Sequence, residues 1–267
     1  MNRRARREPR TCVWHDATPK DFLFSVKAPR FLTHMLRLKG DRMATGTANF
    51  FASGVLDLKA KLGPILWQFP PNMRFEPDIM EAFLRSLPHD TIAAADVAAR
   101  HDEKVKQPSL TPDRKRLLRH AVEIRNSTFR DEAFVALLSR HGAALVVSDA
   151  VADWPYVEDL TSGFVYLRLH GPETLYGGQY SDEALDRWAD RIVAWAAGGE
   201  PADPHRISPK PPIKRGSRDE YCYFDNDQKV RAPFDARRLM ERLSPRLPDV
   251  LPAAEPDRFK GLVGRRA

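Results

Sequence analysis

The stretch Phe164-Val165-Tyr166-Leu167-Arg168-Leu169-His170-Gly171 decides the fold. Successive strand residues point to opposite faces, so Val165, Leu167 and Leu169 share one side while Tyr166, Arg168 and His170 share the other. One face is apolar, and the other becomes ionisable toward its end. A strand of this kind fits a closed parallel barrel, whose outer face packs on helices and whose inner face turns polar only near the C-terminal mouth. The same stretch therefore predicts where a site lies.

Working outward, further segments have similar character. Phe22 to Lys27 is predicted as a first strand, with Leu23, Ser25 and Lys27 on one face. Ile65 to Phe69 is a second, stopped by Pro70 and Pro71 because proline cannot donate to a ladder. Residues 121–126 are a third strand that places Glu123 and Arg125 together, residues 143–149 a fourth ending in Asp149, and residues 221–227 a sixth. Between them run helical stripes. Phe51, Val55, Leu58 and Leu62 predict a helix closed by Gly63, and residues 78–87 predict another. Thr111-Pro112 reads as a helix start. Ser127 opens a helix that Gly142 follows, Ser181 caps one bearing Leu185, Trp188, Ile192 and Trp195, and residues 234–243 form the last. Residues 28–47 are predicted as a long loop with a short helix, and residues 200–219, with five prolines, as a flexible surface excursion. Six strands alternating with helices imply an α/β fold with a parallel sheet, two strands short of a barrel.

A chain of 267 residues with 30% charged and 42% hydrophobic side chains suits one soluble domain with a sizeable core. The net charge of +7 draws heavily on residues 1–10, where five arginines face Glu8. We read residues 1–12 as a basic disordered arm, residues 13–244 as the barrel-like body and residues 245–267 as a proline-rich tail. Such an arm can grip phosphates, so nucleic acid is a candidate partner. Cys12 and Cys222 have no framework or zinc-knuckle spacing. No signal-peptide core or membrane-length apolar run is present, so a cytoplasmic location is expected, with no membrane partner.

Parity directs Lys27, Gln68, Glu123, Arg125, Asp149, Arg168, His170, Tyr223 and Asp225 into one mouth. Two chemistries remain open there. In one, Glu123, Asp149, His170 and Asp225 hold a divalent ion such as Mg2+ or Mn2+ while Lys27 and Arg168 clamp a phosphate. In the other, Glu123 or Asp149 acts as acid or base on a sugar-like substrate, or Lys27 forms a Schiff base. Glu123, Asp149, His170, Asp225 and Lys27 are thus the candidate catalytic residues. Arg125, Arg168, Gln68, His34, Tyr176, Tyr223 and Asn226 are the candidate substrate contacts. The competing structural reading pairs the ions with one another, for example Arg125 with Asp149. No glycine-rich phosphate motif follows any strand, so no nucleotide cofactor is expected.

These segments together resemble the YecE-like proteins, domain of unknown function 72. The matching pieces are residues 22–30 with Thr33-His34, Leu62-Gly63-Pro64 through Gln68-Phe69-Pro70, Glu123-Ile124-Arg125-Asn126 and Ser148-Asp149. Residues 166–171 with Tyr176, and residues 223–227, complete the match. The resemblance implies a TIM-type (β/α) barrel, incomplete at the N-terminus, since members begin about fifty residues earlier with two further strands. It implies no activity. Hydrolysis of a phosphate-, sugar- or nucleic-acid-type substrate is the leading expectation, and a non-catalytic binding or scaffold protein is the alternative.

Overall fold

The computed structural model describes residues 10–247. Most of the expected basic arm and the end of the proline-rich tail, residues 1–9 and 248–267, lie outside these residues. The arm's last residues, from Arg10, begin a short helix, α1 (Arg10–Asp16).

Six parallel strands form one sheet in sequence order: β1 (Phe24–Lys27), β2 (Leu62–Gln68), β3 (His120–Glu123), β4 (Ala144–Asp149), β5 (Phe164–Leu169) and β6 (Asp219–Phe224). Sequential order with every pair parallel requires a crossover after each strand. The helices among these connections are α2 (Arg42–Ala52), α3 (Pro77–Ser86), α4 (Thr91–Ala98), α5 (Glu132–His141) and α6 (Asp182–Ala196), and α7 (Ala232–Leu243) follows β6. All six predicted strands are present, with no end shifted by more than three residues.

The sheet curls. Ser25 Oγ of β1 lies 2.7 Å from Tyr166 Oη of β5, and Arg119 just before β3 reaches Asp219 at the start of β6, 2.6 Å away. The concave face is filled low down by Leu66, Ala121, Ala144, Val146, Phe164 and Tyr166. Tyr223 stacks on Tyr166 at 5.1 Å. Burial raises the Tyr166 phenol far above its ordinary range and lifts Tyr223 to about 12, so both stay neutral hydrogen-bonding groups.

On the convex side, Ile65 and Trp67 of β2 and Phe69 just after it are fully covered by helix side chains such as Phe50 and Phe83. Trp67 Nε1 donates to His120 Nδ1 at 3.1 Å, so His120 carries its proton on Nε2 and donates to Pro88 O at 2.8 Å. Burial depresses its pKa to about 4 and keeps it neutral. A second cluster, with Val165, Leu167, Trp188 and Trp195, packs β5 against α6 and α7. Among the described residues no helix is long and apolar enough to cross a membrane.

Several helix limits follow their sequence signals. Ser181 Oγ accepts from Ala184 N at the start of α6, and Gly142 caps α5 at φ +64°. Four expectations fail for local reasons. Ser127 opens only a 3-10 turn, Ser127–Phe129, and α5 starts after its N-cap Asp131, whose carboxylate accepts from Ala133 N at 2.7 Å. The helix placed over residues 51–62 is broken: α2 ends at Ala52, Gly54 turns at φ +98°, and a 3-10 segment, Val55–Lys61, follows. Gly63 is no cap, because it lies inside β2, where an added Cβ would meet Phe24 O at 2.9 Å. Thr111 starts no helix. The segment before β3 is held against the start of α4, where Thr91 Oγ1 donates to Arg114 O at 2.7 Å and accepts from Arg116 N at 3.0 Å.

The excursion between α6 and β6 is tethered. Buried Asp159 accepts from Ile207 N and Ser208 N at 2.7 and 2.9 Å, and Glu158 accepts from His205 N at 2.9 Å.

Candidate functional site

At the C-terminal strand ends, Glu123 is fully buried and acts as the hub of an ion network. Arg168 Nη1 donates to its Oε2 at 2.6 Å, and Arg125 Nε to its Oε1 at 2.9 Å. Arg168 Nη2 also reaches Asp225 Oδ2 at 2.6 Å. The same Asp225 oxygen lies 3.0 Å from His170 Nδ1, so that nitrogen carries the proton, a carboxylate being acceptor only. His170 is fully buried, and its Nε2 stands 3.5 Å from Glu123 Oε1, within ion-pair reach but without a hydrogen bond. Burial pushes the Glu123 carboxyl up, yet His170, Arg168 and Arg125 outweigh it and hold the pKa near 2. For Asp225, burial is likewise outweighed by His170 and Arg168, and its pKa is lowered. For Arg168, burial works against the charge, but Glu123 and Asp225 raise its pKa.

Arg125 extends from this network toward the opening. Its guanidinium lies 3.7 Å from the centre of the Trp154 ring, and Nη1 is 3.4 Å from Tyr176 Oη. Tyr176 belongs to a loop that folds back over the strand end, with Tyr176 N donating to His170 O at 2.6 Å. Gly171 makes that return possible at φ +116°: a Cβ there would lie 2.2 Å from Gly177 O.

A separate polar relay lines the other side. Lys27 Nζ donates to Gln68 Oε1 at 2.6 Å, so the Gln68 amide nitrogen faces His34 Nε2, 3.5 Å away. In that arrangement His34 Nδ1 carries the proton toward Thr33 Oγ1 at 2.8 Å, leaving the Nε2 lone pair at the opening. Burial, then Arg168, lowers the Lys27 pKa; burial and Arg30 lower that of His34. These groups line a cavity of about 670 Å3 with Arg30, Pro70, Pro71, Asn72, Arg125 and Tyr176. Its walls hold three cations and no carboxylate.

The structure thus brings together Lys27, His34, Gln68, Glu123, Arg125, Arg168, His170, Tyr176 and Asp225, with Tyr223 one level deeper against Tyr166. Asp149 is different, and its expected inward direction is corrected. It shares a face with Val147, is registered beside Leu169, and accepts from Tyr180 Oη at 3.1 Å on the convex side. There it lines a cavity of about 340 Å3 with Tyr156, Arg187 and Trp188, and burial raises its pKa. The inward residue at that level is Ser148, buried with Oγ unpartnered. The expected Arg125–Asp149 pair is therefore replaced by Arg125–Glu123. Asn226 also lies away from the opening, fully buried, donating to Gly178 O at 2.9 Å and Asp235 Oδ2 at 2.8 Å. It braces the loop that carries Tyr176.

The proposed metal set is not gathered either. Asp149 points away, Arg168 occupies the space between Glu123 and Asp225, and no group of three or more His, Cys, Asp or Glu side chains among the described residues is arranged to hold an ion. Sequence reasoning missed Arg30, Asn72 and Trp154. Arg30 comes three residues after the end of the first strand and Asn72 follows the Pro70-Pro71 stop; position after a strand end was the available signal. Trp154 had none, because only the tertiary fold lays it over Arg125.

Solved structures with the same fold include a DUF72 family protein from Thermotoga maritima, with a TM-score of 0.62 and 22% identity over 91% of this chain and 82% of that one. A DUF72 family protein from Enterococcus faecalis has a TM-score of 0.58 and 15% identity over 88% and 79% of the two chains. No protein with a curated description matches. The family described as "Protein of unknown function DUF72" matches residues 5–258, so nearly the whole chain, from the basic start through the ion network to the last helix, belongs to that family.

Proposed function

We propose that the protein is a hydrolase for a small phosphate-bearing substrate bound at the C-terminal mouth of a TIM-type (β/α) barrel, of which the six strands form the described part. The observation that carries this reading is the composition of the 670 Å3 cavity: Lys27, Arg30 and Arg125 face it with neutral His34, Gln68, Asn72 and Tyr176, and no carboxylate lines it. A phosphoryl group there meets cations and donors, while the His34 Nε2 lone pair is left to take a proton from water. Glu123 and Asp225, expected as catalytic groups, serve as positioning residues in this reading. With its pKa near 2, Glu123 is a poor proton donor at neutral pH.

His34 supplies the base. It is neutral at pH 7 because its pKa is lowered, and its Nε2 has only a long contact with Gln68. Water attacks phosphorus while its proton passes to Nε2. The phosphorus–oxygen bond to the leaving group breaks, and the Lys27 ammonium, made more acidic by burial and Arg168, delivers a proton to that oxygen. Arg30 and Arg125 hold the charge on the equatorial oxygens.

The test is phosphate release from a panel of phosphomonoesters by the full chain, together with calorimetric binding of inorganic phosphate. His34→Ala is expected to retain phosphate affinity and to lower kcat by about 10²-fold or more. Binding without turnover across the panel would leave a non-catalytic phosphate-binding protein. Turnover that survives His34→Ala would remove the assigned base.

A further inference from the structure

A second cavity, of about 160 Å3, opens beside the mouth, and Asn72 lines both. It is built by continuations of the same two loops. After β1 the chain passes from Arg30 and His34 to Arg37 and Lys39; after β2 it passes from Pro70 and Pro71 to Arg74 and Glu76. Its charges are not balanced. Lys39 and Glu76 neutralise each other at 2.5 Å, which leaves Arg37 and Arg74, both exposed and in no ion pair among the described residues. Met73 and Met80 form an apolar floor.

The backbone around Arg37 is costly to build. Arg37 and Leu38 are successive non-glycine residues at φ +50° and +63°, a conformation that L side chains rarely adopt. Leu38 is buried, with its N–H donating to Leu32 O at 3.2 Å, so packing fixes the turn. The result places Arg37 in the wall of the groove next to the mouth. A loop with only a packing role needs no arginine there.

Resting on the phosphate reading of the mouth, we propose that the substrate is a small molecule with two phosphoryl groups: one sits against Lys27, Arg30 and Arg125, and the other is held by Arg37 and Arg74, with Asn72 between them. Two linked anchors convert the second contact into an intramolecular one, which raises affinity far beyond either alone when the spacing fits. The scissile ester is the one at the mouth, beside His34. The outer phosphoryl group stays bound and unreacted.

Calorimetry on the full chain tests this with inorganic phosphate, a series of alkanediol bisphosphates of increasing chain length, and the matching monophosphates. One bisphosphate length is expected to bind at least about tenfold more tightly than its monophosphate. Arg37→Ala/Arg74→Ala should abolish that gain and leave inorganic phosphate affinity unchanged, since neither side chain lines the mouth. Phosphate binding without any gain for a bisphosphate would overturn the two-anchor proposal and spare the mouth. A gain that survives the double substitution would overturn the assigned second anchor. No binding of phosphate or any monophosphate would overturn the reading of the mouth itself, and single-stranded oligonucleotides outcompeting every bisphosphate would replace the small molecule with a nucleic acid.

Discussion

Glu123 and Lys27 lie at the same end of the concave face, on β3 and β1, with β2 between them: Gln68 is in register with Glu123, and Leu66 with Lys27. Their surroundings are opposite. Glu123 is fully buried with Arg125, Arg168 and His170 around it, so its charge is spent within the protein. Lys27 has a neutral amide as its partner and faces a cavity without carboxylates. Ions that satisfy one another hold the strand ends in place, whereas ions left to neutral partners are available to a ligand. A mouth rich in charge is thus two devices, a brace and a receptor, with Arg125 belonging to both.

The largest expected effect separates them by stability. Glu123→Ala leaves two guanidiniums without their shared acceptor and should cost about 3–5 kcal/mol in urea unfolding. Lys27→Ala, on the rim, should cost no more than about 1 kcal/mol. Equal losses would erase the distinction.

The brace also has an acid signature. The Glu123 pKa is lowered in the folded state to about 2 from an ordinary 4.5, so its contribution is fully present above 4.5 and is lost as pH falls toward 2. That contribution is on the order of 3 kcal/mol, and Glu123→Gln should flatten the acid limb of the stability profile.

For the receptor, Lys27→Ala should weaken inorganic phosphate binding at least about tenfold at low salt, as expected for losing a charge-assisted contact. The pH profile of turnover sharpens the same point. Its acid limb should lie below 6.5, because burial and Arg30 lower the His34 pKa, and its alkaline limb below 10.5, because burial and Arg168 lower that of Lys27.

Asp149→Asn should be the quietest at the mouth, leaving phosphate affinity within about twofold, because its side chain points to the convex face. An affinity loss matching that of Lys27→Ala would show that Asp149 reaches the mouth after all.

A control lies outside both devices. Glu220, on the edge strand β6, has its pKa raised to about 8 by burial and by Asp219. A raised acid favours the protonated folded state, so this group weakens the fold as pH climbs from 4.5 past 8. Glu220→Gln should therefore raise Tm at pH 9 more than at pH 6, with no effect on phosphate binding.

Much of this was legible in the residues. The alternation of Val165, Leu167 and Leu169 with Tyr166, Arg168 and His170 assigned both faces of β5 correctly, since strand parity is local. The same rule, applied from Val147, puts Asp149 outward and Ser148 inward, so the polar end of β4 that faces the concave side is Ser148. The short apolar stripe from Phe51 to Leu62 misled because helical spacing says nothing about a left-handed turn at Gly54. The candidate site was legible as a set of positions, and illegible as a pattern of partners. Arg168 bridges Glu123 and Asp225 across a sequence separation of 102 residues, 123 to 225, and no local signal encodes that choice.

Sequence alone determined the six strands, their alternation with helices, and the end of the sheet at which polar side chains collect, because periodicity and capping are properties of neighbours along the chain. Only the tertiary structure decided which charges cancel and which remain free. That depends on how a curled sheet brings strand ends together, and on burial, which sets the cost of leaving any one of them unpaired.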